Sequence, residues 1–72
     1  AWREVVAVRA AARVAASFAS GRPPPDARGI ALELGVPLRP VQEVLTALCR
    51  AGIVAPSQRG DEDVYLPARP LE

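Results

Sequence analysis

The side chains able to do covalent or proton-transfer chemistry are few in this chain, and their spacing is unhelpful. There is no His and no Lys, and all nine cations are Arg. Without them the common general base, the Schiff-base amine and the P-loop lysine are missing, along with nearly every zinc site. Cys49 is the single thiol, one turn after Leu45, so its spacing reads as a small, part-buried hydrophobe. No Ser sits beside a base. Asp61, Glu62 and Asp63 are consecutive and lack a calcium-loop pattern, so they read as a solvated acidic loop. Arg59-Gly60-Asp61 matches an integrin-binding tripeptide but reads as a turn, because Gly admits positive φ and Asp favours turns. The expectation is a non-enzyme with no catalytic, metal or cofactor site and no evident small-molecule ligand.

What remains is recognition. Val41, Val44, Leu45 and Leu48 recur as one helical stripe. Its outward positions then carry Arg39, Gln42, Glu43, Thr46 and Arg50. Arg39, Gln42, Thr46, Arg50 and Arg59 are therefore the candidate contacts to a nucleic acid or a protein partner. From Val36 to Gly60 the charge is +2 (Arg39, Arg50 and Arg59 against Glu43), and Asp61 to Asp63 turn it to −1. That is a poor footprint for a polyanion, and weak or no DNA binding is expected.

The elements that must hold these residues follow from pattern. With 72 residues the chain holds one domain, and 14 of its 36 apolar residues are Ala, so the core will be thin. A helix is predicted over about 2–19, with Val5, Val8, Ala12, Ala15, Ala16 and Ala19 as its buried face. Trp2, Val6, Arg9 and Arg13 make a second face, expected to stay exposed in this chain. Ser20-Gly21 ends that helix, and Arg22-Pro23-Pro24-Pro25 is a stiff extended connector. Asp26 caps a short helix through Leu34, with Gly29 weakening it by about 1 kcal/mol relative to Ala. Gly35-Val36-Pro37 makes a turn into a third helix over about 39–51 with Pro40 in its first turn. Ile53-Val54-Ala55 and Val64-Tyr65-Leu66 then bracket a polar loop, Arg59 to Asp63, as a hairpin over about 53–67 with Pro56 and Pro67 at strand ends.

This order, with Ile30-Ala31-Leu32-Glu33-Leu34-Gly35-Val36-Pro37 leading into Val41 to Leu48 and Ala51-Gly52-Ile53-Val54, resembles the winged helix-turn-helix superfamily. The fold class implied is mainly α (α+β), three helices and a two-stranded wing. Over most of the chain, the Ala/Arg helix, Leu34 to Val41, Leu45 to Gly52 and Tyr65 to Glu72 resemble the cytoplasmic C-terminal region of the YihY/BrkB family. These are polytopic bacterial inner-membrane proteins long labelled "ribonuclease BN". The resemblance implies an accessory or regulatory domain on the cytoplasmic side of the inner membrane, contacting its own membrane domain or another protein. The nuclease label finds no support in these residues. The alternative is a DNA-binding transcription-regulator domain. Tyr65-Leu66-Pro67-Ala68-Arg69-Pro70 is also similar to the wing end of iron–sulfur-sensing winged-helix repressors. Those hold their cluster with several Cys, so with Cys49 alone the sensor function does not transfer. The first residue is Ala rather than Met, and the expectation is a piece of a longer protein. The longest charge-free runs are eight residues, against about 20 for a membrane span. The isolated chain is expected to be a monomer, or at most a weak dimer.

Overall fold

The computed structural model describes residues 2–68; Ala1 and residues 69–72, including the end of the Tyr65–Glu72 motif, lie outside the described residues. Three helices precede a hairpin: α1 Trp2–Ala19, α2 Ala27–Leu34, α3 Leu38–Arg50, β1 Val54–Arg59 and β2 Glu62–Pro67. The result is a small α+β fold with a two-stranded antiparallel sheet.

Side-chain and main-chain caps place the helix ends. Asp26 is extended, and its Oδ1 accepts from the Gly29 N–H at 2.8 Å, satisfying one of the donors a helix start leaves open. Gly35 takes φ +71, where a Cβ is strained, and this lets the Val36 N–H turn back onto the Ala31 carbonyl at 3.1 Å. Three residues after α2 the chain is helical again. Pro40 costs α3 nothing, because first-turn N–H groups have no intrahelical acceptor.

The core is Val6, Ala10 and Val14 of α1, Ile30 and Ala31 of α2, Val41, Val44, Leu45 and Leu48 of α3, and Val54 of β1. The stripe predicted on α3 is the buried one. On α1 the face is corrected. Val6, Ala10, Val14 and Ser17 are buried, whereas Val5 and Val8 are 53% and 68% exposed. Both sides of α1 are apolar, so periodicity alone cannot choose between them. Packing chose the side with branched Val at two levels and the minimal Ala10 between them, which allows close approach to α3. Val6 and Arg13, expected on the exposed face, are buried and half-buried, and Arg13 and Arg3 border the core. Arg3 Nη2 pairs with Glu43 of α3 at 3.0 Å, and Arg13 pairs with Glu33 of α2. Arg13 also donates to the hydroxyl of buried Ser17 at 2.6 Å, so that polar group is satisfied.

The hairpin differs from its predicted limits. Arg59 pairs with Glu62, so only Gly60 and Asp61 form the turn, and Glu62 and Asp63 belong to β2. Gly60 at φ +64 in the first turn position suits a two-residue hairpin loop. Pro56 is not at a strand end but third in β1, opposite Tyr65. It is tolerated because that pair does not exchange ladder bonds. The Tyr65 N–H points away from β1, to the Pro25 carbonyl at 3.0 Å, so the missing N–H of Pro56 also faces outward. Asp26 makes an isolated bridge to Val64. The Pro-rich connector therefore lies along the free edge of β2 and ties the start of α2 to the hairpin.

Candidate functional site

Arg39, Gln42, Glu43, Thr46 and Arg50 all stand on the exposed side of α3, one or two turns apart, because Val41, Val44, Leu45 and Leu48 turn the opposite side inward. They do not form one basic surface. Thr46 and Arg50 share a shallow depression with Glu43, Ala47 and Ala51. Glu43 there is held by Arg3 of α1, an exposed pair worth at most about 1 kcal/mol but enough to bring a fourth helix-borne charge to the surface.

Gln42 faces different company. It lines a groove of about 340 Å³ with Asp26, Arg28, Leu38, Asp61, Glu62, Asp63 and Tyr65. Among the described residues, four carboxylates and one guanidinium thus border the N-terminal half of α3. The hairpin brings three of them there, and the Asp26–Val64 bridge fixes the fourth beside it. Gln58 donates from Nε2 to Asp63 Oδ1 at 3.0 Å and orients that carboxylate. Arg59 is exposed at the end of β1, paired across the ladder with Glu62. Arg39 is exposed in the first turn of α3. Neither lines this groove.

Among the described residues, Cys49 and Tyr65 have perturbed titration. Burial raises the Cys49 thiol above its ordinary value. Burial also raises Tyr65, helped by the nearby charge of Asp63 and then by Cys49. Both changes favour the neutral, unreactive form, which suits packing against the core and gives Cys49 no activation as a nucleophile. Among the described residues, no group of three His, Cys, Asp or Glu side chains could hold a metal ion. Among them, too, no helix is long and apolar enough to cross a membrane.

Three contributors to this surface escape sequence reading: Arg3, Arg28 and the carboxylate of Asp26, which the sequence presents only as a cap. Arg3 reaches Glu43 and Asp26 bridges Val64 across long stretches of chain, and Arg28 meets the hairpin acids only through the groove, so local pattern carries no signal for any of them. Comparison with known proteins adds no neighbour: no family model matches the chain, and no curated protein or solved structure matches it.

Proposed function

We propose that this chain is a winged helix-turn-helix domain acting as a non-catalytic contact module, the accessory or regulatory cytoplasmic domain of a YihY/BrkB-like inner-membrane protein. Support for the winged-helix reading is the element order, the three-residue turn between α2 and α3, and the Pro25–Asp26 segment lying along β2. The family and the cytoplasmic, membrane-attached setting rest on the sequence resemblance. Protein rather than DNA as partner rests on one observation. The wing carries Asp61, Glu62 and Asp63 to the N-terminal half of α3, where a DNA-reading domain presents cations to phosphates. Among the described residues, Arg28 is the one cation lining that groove. A partner with basic or amide-rich side chains suits such a surface better than a duplex does.

Two measurements test the reading. In the first, mixed-sequence duplex is titrated into the domain at physiological salt while amide shifts are followed. The expected result is small, salt-sensitive change without saturation. Saturable micromolar shifts centred on Arg39 and Gln42 would establish the DNA-binding alternative instead. In the second, the native full-length protein is fractionated from its host. Recovery in membranes after alkaline washing is expected, and recovery in the soluble fraction refutes the membrane-protein assignment.

A further inference from the structure

Beside the acidic groove lies an apolar one. Leu32 of α2, Val36 and Pro37 of the turn and Leu38 of α3 line a depression of about 540 Å³, with Arg28 at its border. The way α2 ends creates it. Ile30 and Ala31 face the core, and the next residue round the helix, Leu32, is left 79% exposed, the highest of the large hydrophobics among the described residues. Gly35 at φ +71 then reverses the chain, and the Val36 N–H bonded to the Ala31 carbonyl at 3.1 Å holds Val36 and Pro37 close to Leu32. A single exposed Leu is ordinary, but a concave surface built from several apolar side chains marks a contact site.

Charge decides what fits it. Arg28 and Leu38 line both this depression and the groove around Gln42, so the two adjoin. The described residues lining the groove sum to −3, from Asp26, Asp61, Glu62 and Asp63 against Arg28. Half-buried Tyr65 stands among these carboxylates and offers a ring along which an Arg side chain can lie. Nucleic-acid phosphates, anionic lipid headgroups and acidic peptides are all repelled there. A polypeptide segment with one apolar side chain followed closely by Arg or Lys satisfies both halves. Its anchor leaves water in the depression, and its cations meet carboxylates in the groove.

We propose that this chain docks a basic segment of a partner protein across Leu38. An apolar anchor lies against Leu32, Val36 and Pro37, and the cations that follow it lie among Asp26 and the hairpin acids. The proposal rests on the protein-contact reading above and names the chemistry of that partner. The surface is small for a specific interface, so the contact is reversible, with a Kd of about 10–100 µM for an isolated peptide.

Selection of short peptides from a random displayed library tests it. The expected consensus is one Leu, Ile, Met or Phe with two or more Arg or Lys close behind it. The consensus peptide is then synthesised and titrated into the chain while amide shifts are followed. Shifts should saturate around Leu32, Val36, Leu38, Gln42 and Tyr65. Leu32→Ser should weaken binding by about ten-fold, and Asp61→Asn with Glu62→Gln by about five-fold with a flatter salt dependence. All three side chains are exposed, so the unfolding midpoint should move little. Val8→Ser, on the outer side of α1, should leave binding unchanged. A consensus without cations, shifts that map elsewhere or the absence of any enriched peptide overturns the proposal. So does self-association through the same residues, which would make the occupant a second copy. Titration with mixed-sequence duplex separates this failure from that of the reading beneath it. A chain that binds neither peptide nor duplex loses this site alone, whereas saturable duplex binding overturns both.

Discussion

Asp26 and Gly29 act as one unit. A Cβ on Gly29 would sit 2.9 Å from Asp26 Oδ1, the oxygen that accepts from the Gly29 N–H. Replacing Gly by Ala inside a helix ordinarily gains about 1 kcal/mol, and losing a cap costs about as much. The two effects should nearly cancel in Gly29→Ala. Asp26→Ala alone should destabilise by about 1 kcal/mol, and by distinctly less when Gly29 is already Ala. Urea unfolding of the four proteins in this cycle measures the coupling, and strict additivity would show that the cap does not hold Gly29. Cys49 and Tyr65 supply a pH prediction. Burial raises both in the folded state, so each neutral form is favoured by folding. Their contribution is complete below the unfolded-state values of 9.0 and 10.0 and is lost as pH rises through the higher folded-state values. Chemical stability should therefore be flat near neutrality and fall above about pH 9, and Cys49→Ala should remove the earlier part of the fall.

Among the elements, α1 and α3 show what hydrophobic periodicity can and cannot tell. α3 has one apolar stripe against a charged and polar back, so Val41, Val44, Leu45 and Leu48 could point only inward. Leu45 is fully buried, and Leu45→Ala should cost about 2–5 kcal/mol. Calorimetry should find its midpoint at least about 10 °C lower. α1 has two apolar sides, and the heptad-spaced one looks the better core face on paper. Only the fit of Val6, Ala10 and Val14 against α3 and β2 settles which side is buried. The corrected face gives a paired prediction: Val14→Ala should cost about 2 kcal/mol, whereas Val8→Ala should be neutral or slightly stabilising because Ala is the better helix former. Equal losses at the two positions would mean that the helix is rotated from the orientation described. In the hairpin, the apolar runs at 53–55 and 64–66 mark the base, where Val54 and Val64 are buried, while Ile53 precedes β1 and is 50% exposed. The exposed arms carry Gln58, Arg59, Glu62 and Asp63, polar residues that extend the ladder once the Gly60–Asp61 turn brings the strands together.

At the scale of the molecule, charge placement matters more than charge total. The net formal charge is +1, yet cations and anions are sorted so that the hairpin tip and the α2 start form an acidic border to α3. If that border is what repels nucleic acid, Asp61→Lys, Glu62→Lys and Asp63→Lys together should create duplex binding. Each swap adds two charges, taking the net from +1 to roughly +7. Filter binding or fluorescence anisotropy should then show association that falls steeply with salt and exceeds the weak, unsaturated association expected of the parent chain. Persistent silence of the triple variant would move the explanation from the acids to the shape of the surface. By itself, the sequence determined everything that local energetics decides: three helices ended by capping residues, the inward stripe of α3, the hairpin and the absence of His and Lys chemistry. Tertiary structure alone decided which apolar side of α1 is buried. It also decided that Arg3 and Arg13 reach Glu43 and Glu33, and that Asp26 joins the hairpin acids around Gln42. The physical reason is range. Caps, turns and helical stripes are set within about four residues, whereas these choices compare whole packings whose local terms are nearly equal.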